Sequence, residues 1–272
     1  MLTGCLTRAP APDRRLRLFC LHHAGGAASA YADWAGALGD EVDLLPIQLP
    51  GREGRIGEPR LRRMDTLVAQ LIAELAGDLR PPFAFYGHSM GALVAYALTE
   101  ALHARGRALP EAVLVGAYPA PDQHRFIREV PDMSPEDLTR LLRRIGGMSE
   151  LVLRYPAWRD AATGLTRDDL LVCHSYTPGP VPIPCDLHAF AGDSDPLMAL
   201  AEAAGWVRYT DGRFRLHRVP GGHFFVRDAP AEFFTILRAV LGLRPRTAVR
   251  SGAAVAAGLG ARSDAVAPVH RV

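Results

Sequence analysis

The stretch Pro82-Phe83-Ala84-Phe85-Tyr86-Gly87-His88-Ser89-Met90-Gly91-Ala92-Leu93-Val94 decides how this chain folds. Phe83 to Tyr86 is a short unbroken apolar run, as in a strand buried on both faces. Leu93, Val94, Ala97, Leu98, Ala101 and Leu102 then recur at three- and four-residue spacing, which lays them along one stripe of a helix that starts near Ala92. Between the two lies glycine-x-serine-x-glycine. A serine on so tight a strand-to-helix turn needs small neighbours, because the backbone is strained and strand and helix pass close together. Gly87 and Gly91 supply that room. Such a turn aims the Met90 N–H at the space above Ser89 Oγ, and the helix N-terminus adds positive potential where an oxyanion would form.

The same alternation repeats on both sides of this turn. Apolar runs at Leu16 to Leu21, Val42 to Leu49, Ala112 to Val115, Leu187 to Phe190 and Phe214 to Val219 read as further strands. Met64, Leu67, Val68, Leu71, Ile72, Leu75 and Leu79 form another helical stripe. Strands alternating with helices predict an α/β fold, a mostly parallel sheet flanked by helices, since parallel neighbours need a crossover connection. The order breaks between Val115 and Leu187, where an inserted helical lid is expected at about residues 122–177. Ser134 as cap, Pro135 at the first helical position and Glu136-Asp137 after it start one helix there, and Gly146-Gly147 ends it as a hinge. Leu151 to Tyr155 and Asp168 to His174 continue the helical pattern. One domain over residues 16–243 is expected, with residues 1–15 as an N-terminal extension and residues 244–272, lacking apolar periodicity, as a disordered tail.

Composition narrows the classes of function. With 272 residues, 49% hydrophobic and 22% charged, the chain can bury one sizeable core. A net charge of +2, with no basic run interleaved with aromatic residues, gives no footprint for nucleic acid. Cys5, Cys20, Cys173 and Cys185 form no paired motif, so reduced thiols in the cytoplasm are expected rather than a disulfide framework or a zinc site. No apolar run has the length of a bilayer span.

A serine hydroxyl becomes nucleophilic only with a base, and the base needs an orienting carboxylate. Downstream of Ser89, Phe190-Ala191-Gly192-Asp193-Ser194-Asp195-Pro196 places two aspartates directly after an apolar strand. Asp195 is favoured over Asp193, because an aspartate directly after glycine can instead bond the turn backbone. His223 follows the last strand and Gly221-Gly222, on a loop able to bring its ring back over the sheet, whereas His188 and His217 lie inside strands and read as structural. A second oxyanion donor is expected after the first central strand, at His22-His23-Ala24-Gly25-Gly26, from the Ala24 N–H with that of Gly25 as a further candidate. His23, Gly25 and His88 adjoin these groups and are expected to contact substrate. No metal is expected at His22 and His23, which have no further ligands at metal-site spacing.

These residues together resemble the type II thioesterases, free-standing editing enzymes of polyketide and non-ribosomal peptide assembly lines. The resemblance is carried by LFCLHHAGG with Trp34 soon after, LPGRE at Leu49 to Glu53, YGHSMGALVAY at Tyr86 to Tyr96, IGG at Ile145 to Gly147, GDSDP at Gly192 to Pro196 and PGGHFF at Pro220 to Phe225. It covers about residues 16–242 and implies the α/β-hydrolase fold. It also implies hydrolysis of acyl groups from phosphopantetheine on acyl or peptidyl carrier proteins, with Ser89 as nucleophile, His223 as base, Asp195 as orienter, the Ala24 and Met90 amides as oxyanion hole, and no cofactor. His22 departs from the family, which usually has proline there, and Gly164 to Asp169 only loosely follows a segment that usually contains proline. A monomer is expected, with Leu141, Leu142, Met148, Leu151 and Val152 lining a cleft under the lid, and with Arg52, Arg55, Arg60, Arg62 and Arg63 steering an acidic carrier. A dedicated release hydrolase, an acyltransferase and a non-catalytic carrier-binding protein are the alternatives.

Overall fold

The computed structural model describes residues 4–244, so the expectation of a disordered tail lies outside the described residues. Six parallel strands, β1 (Leu16–Leu21), β2 (Val42–Ile47), β3 (Phe83–His88), β4 (Ala112–Gly116), β5 (Asp186–Gly192) and β6 (Phe214–Val219), form one sheet in the order β2-β1-β3-β4-β5-β6. The helices follow as α1 (Trp34–Leu38), α2 (Met64–Leu75), α3 (Met90–Ala104), α4 (Arg125–Glu129), α5 (Pro135–Arg144), α6 (Glu150–Arg154), α7 (Pro156–His174), α8 (Leu200–Ala204), α9 (Phe225–Asp228) and α10 (Pro230–Val240).

The pleat of each strand divides the core into two layers. Phe19, Leu21, Phe83 and Phe85 face one way, into a cluster with α2 and α3. Leu18, Cys20, Ala84 and Tyr86 face the other way, where Trp34 of α1 and Phe233 and Leu237 of α10 cover them. Both faces of the central strands are therefore dry, which is why their sequences run apolar without alternation. β6 departs from that expectation: it lies at the sheet edge, and Leu216 is exposed. The opposite edge, β2, tolerates Pro46 because its outer side has no strand to bond. The N-terminal extension covers that edge, with Leu6 bridged to Ile47 and the Gln48 N–H donating to the Cys5 carbonyl at 2.8 Å.

Chain order and spatial order part company once. From β1 the chain goes out to β2 and returns to β3 on the other side of β1, so β1 and β3 are neighbours with Leu21 opposite Gly87. Loops leaving the carboxyl ends of two such strands splay apart, and the crevice between them is where open α/β sheets bind ligands. The insertion between β4 and β5 is helical as expected, with the Ser134 Oγ accepting from the Asp137 N–H and Gly146 at φ +73° just past α5. Its longest helix was only half legible in sequence. α7 runs unbroken through Asp160 to Arg167, where no apolar stripe marks it, because the residues it buries there are the polar Thr163 and Thr166.

Candidate active site

Four loops at the carboxyl end of the sheet converge on Ser89. β3 ends in the turn that carries it, with Ser89 at φ 54° and ψ −120°. That is sparsely populated for a residue with a side chain and costs about 1–3 kcal/mol. The turn is held by the Ser89 N–H, which donates to the Gly116 carbonyl of β4 at 2.7 Å. A Cβ on Gly91 would lie 2.0 Å from the Leu21 carbonyl oxygen, and one on Gly87 would lie 2.0 Å from that of Gly91. Both obstacles are backbone, so neither glycine can be replaced cheaply. Gly91→Ala is expected to cost about 3 kcal/mol or more, read as a lowered melting temperature. An unchanged melting temperature would mean that helix and strand do not meet this closely.

The loop after β5 supplies the carboxylate and the loop after β6 the imidazole. His223 Nε2 lies 3.1 Å from Ser89 Oγ, and His223 Nδ1 lies 2.9 Å from Asp195 Oδ2. His223 is 5% exposed and the Asp195 side chain is fully buried. A carboxylate only accepts, so Nδ1 carries the proton and Nε2 is free to accept one from serine. The second Asp195 oxygen accepts the Leu197 N–H at 2.8 Å, which fixes the carboxylate plane. Asp193 faces away, accepting from the Gly221 N–H and Ser194 Oγ and pairing with Arg218. The hydrogen bond from Ser194 is the first of the contacts that hold its carboxyl below the usual range.

Ser89, Met90, His223, Ala24 and His23 line one small cavity, roofed by Leu141, Leu142 and Ile145 of the insertion. Its volume is about 40 Å³, room for a few waters. Two roomier clefts, of about 770 Å³ and 1270 Å³, contain none of Ser89, Asp195 and His223. Chemistry, not size, selects the site.

Residues 16–241 match the family model described as "Thioesterase domain". The chain is 31% identical over 224 residues to the gramicidin S biosynthesis protein GrsT of Aneurinibacillus migulanus, covering 82% of this chain and 88% of that one. It is 33% identical to thioesterase PikA5 of Streptomyces venezuelae, covering 80% and 78% of the two chains. This chain belongs to the thioesterase family. Its fold is accordingly the α/β-hydrolase type, and it superposes with a TM-score of 0.75 on the type II thioesterase BorB from the borrelidin biosynthetic cluster. The two are 36% identical, over 86% of this chain and 95% of the other.

Set against this thioesterase site, several expectations from sequence need correction. His88 does not reach the cavity. Its Nε2 donates to the His223 carbonyl at 2.9 Å and its Nδ1 accepts from the Tyr86 hydroxyl at 3.1 Å, so the ring buttresses the His223 loop from behind. Burial holds its pKa well below the usual value, which keeps it neutral. The Gly25 N–H is spent on Asp169 Oδ2 at 2.7 Å and so is not free as an oxyanion donor, and Gly25 is not among the residues that line the cavity. His23 does line the cavity, edge-on to Phe224 at 4.9 Å, with its pKa lowered to about 3 chiefly by burial. Leu151, expected under the lid, is 58% exposed on its outer surface, while Met148 and Val152 pack into the main core.

The five arginines expected to steer a carrier protein are already engaged. Arg52 is buried against Asp169, Arg55 bonds Glu58 and Glu74, Arg60 and Arg62 share Asp168, and Arg63 pairs with Asp65. Arg52 and Arg55 are buried in their pairs, with Asp169 and Glu74 arriving from α7 and α2, whereas Arg62 and Arg63 stay exposed in theirs. Conversely, Tyr118, His124, Leu170 and Met198 line the cavity without having been signalled. His124 and Leu170 are brought over Ser89 by the packing of the insertion, while Tyr118 and Met198 lie on the loops that follow β4 and β5. His188 and His217 bond each other at 2.9 Å within the sheet, away from Ser89.

Proposed function

We propose that this thioesterase hydrolyses acyl groups from the phosphopantetheine arms of acyl or peptidyl carrier proteins, as an editing enzyme of polyketide or non-ribosomal peptide synthesis. The observation that carries the chemistry is the continuous hydrogen-bonded chain from Asp195 through His223 to Ser89 Oγ. In the proposed reaction His223 Nε2 takes the Ser89 proton as Oγ attacks the thioester carbonyl. The oxyanion is bound by the Ala24 and Met90 N–H groups, each such donor being worth about 3–4 kcal/mol in the transition state. The C–S bond breaks as His223 passes that proton to the departing sulfur, which leaves as free thiol and returns the imidazole to its neutral state. Water then attacks the acyl-serine, giving its proton to His223, and the second tetrahedral intermediate collapses to free acid and regenerated Ser89. Every step uses side chains and amides of one chain, so the reading requires no metal, no bound cofactor and no second subunit.

The names of the relatives support the pathway class, and the roofed, mostly apolar cavity supports an acyl substrate sheltered from bulk water. Access for an acyl chain requires the insertion to shift, since the cavity is filled by its own walls. The four cysteines are unpaired and buried, in keeping with a reducing cytoplasm, and no described helix is long and apolar enough to cross a membrane.

The test compares one acyl group presented on a carrier protein and on a pantetheine mimic, with short, long and branched chains in parallel. Release of free acid and free thiol is expected from both, with the higher kcat/KM on the carrier. Acyl transfer to an added alcohol or amine in place of free acid would make the chain an acyltransferase. Failure on every thioester would remove the hydrolase reading.

A further inference from the structure

We propose that His22 and the Arg52–Asp169 pair are positioning residues that set the oxyanion loop, gripping the backbone on either side of Ala24 so that the Ala24 N–H stays turned towards Ser89. The proposal rests on the reading of Ala24 as an oxyanion donor. Its core is the geometry of one peptide bond. The His23 carbonyl and the Ala24 N–H belong to the same planar unit and point in opposite directions across it, so fixing one fixes the other. The His23 oxygen receives two hydrogen bonds, from His22 Nδ1 at 2.9 Å and from the Gly26 N–H at 2.9 Å. Held by both, it cannot rotate without breaking two bonds, and the N–H on the far side of the plane keeps its direction.

One residue further on, the next N–H is gripped as well. Gly25 donates to Asp169 Oδ2 at 2.7 Å. Asp169 lies on α7 and is clamped by Arg52 through both of its oxygens, at 2.6 and 2.7 Å. Arg52 also donates to the Gly26 carbonyl at 3.2 Å and to the Pro50 carbonyl at 3.2 Å. The loop presses so closely on α7 that a Cβ on Gly25, at φ +74°, would lie 2.2 Å from Thr166 Oγ1. Two rigid supports from different parts of the chain thus bracket the one peptide that carries the donor.

Neither support is what stability alone would select. A buried ion pair is commonly replaced by apolar side chains without loss of stability, so the Arg52–Asp169 pair, 5% and 3% exposed, is not explained by cohesion. What an apolar pair cannot do is offer an oxygen to the Gly25 N–H. The His22 ring is 1% exposed, and its Nε2 has no hydrogen-bond partner among the described residues. A carbonyl only accepts, so Nδ1 holds the proton and Nε2 is left as an orphan acceptor, a cost that leucine would avoid. Burial first, and then the Arg52 charge, lowers the His22 pKa to about 3, so the ring stays neutral across the working pH range. The ring tolerates an unsatisfied nitrogen in order to place a donor on the His23 carbonyl.

The experiment compares full-length wild type with His22→Leu, His22→Asn and the double variant Arg52→Met/Asp169→Leu. The readouts are kcat and KM on an acyl-pantetheine thioester, and melting temperature. His22→Leu is expected to lower kcat by about 10–100-fold, less than outright loss of an oxyanion donor, with KM within about twofold and melting temperature no lower. Asparagine can place its Nδ2 near the position of the imidazole Nδ1, so His22→Asn is expected to stay within about threefold of wild type. The double variant removes the buried charges together, avoiding an unpaired one, and is expected to fold yet lose kcat to a similar extent. Equal kcat for His22→Leu and His22→Asn, or wild-type kcat in a folded double variant, would overturn the proposal while leaving the hydrolase reading intact. A wild-type chain that cleaves no thioester would overturn both.

Discussion

Replacing Ser89 by alanine is expected to lower kcat for thioester hydrolysis by about 10⁶-fold, the scale on which a triad nucleophile acts as a unit with its base. The variant should fold, because the backbone bond from residue 89 to the Gly116 carbonyl and the flanking Gly87 and Gly91 contacts do not involve the hydroxyl. Alanine also keeps the Cβ already accommodated at φ 54°. What disappears is the oxygen 3.1 Å from His223 Nε2, the atom that would bond to the acyl carbon. Steady-state turnover and labelling by a fluorophosphonate probe measure the same loss in two ways. Turnover above about 1% of wild type would show that another group attacks the thioester.

Asp195→Asn is expected to cost about 10⁴-fold in kcat with little change in fold, and the reason can be read from two hydrogen bonds. One carboxylate oxygen accepts from the Leu197 N–H at 2.8 Å and the other faces His223 Nδ1 at 2.9 Å. An asparagine must keep its carbonyl oxygen towards the Leu197 N–H, so its NH₂ turns to His223. An NH₂ donates, Nδ1 must then accept, and the ring proton moves to Nε2, where it blocks removal of the serine proton. Asp193→Asn, which leaves His223 untouched, should stay within a few-fold of wild type. Imidazole nitrogen chemical shifts would report the tautomer directly. An Asp195→Asn enzyme with near-wild-type kcat would place the orienting carboxylate elsewhere.

Much of this molecule was legible before folding, because its signals are local. Leu16 to Leu21 and Phe83 to Tyr86 are apolar without interruption because both sheet faces are covered, and that requirement writes itself into consecutive residues. Gly87 and Gly91 flank Ser89 because two backbones approach where a Cβ would stand, and Asp195 and His223 lie on the loops that follow β5 and β6, which deliver them to the same edge. α7 shows the limit: its first half buries Thr163 and Thr166 rather than an apolar stripe, so hydrophobic periodicity finds only the second half of the helix.

The sequence by itself determined the alternation of strands and helices, the strained serine turn and the identity of Ser89, Asp195 and His223 as residues that a single sheet edge can bring together. These follow from periodicity and from steric demands over a few neighbouring residues. Only the tertiary structure decided that Arg52 and Arg55 are buried in ion pairs rather than offered to a partner, and that His88 supports the His223 loop from behind. It also decided that His22 and Asp169 grip the loop after β1. The physical reason is that a hydrogen bond or ion pair depends on which group arrives opposite, and here the groups lie up to 144 residues apart along the chain.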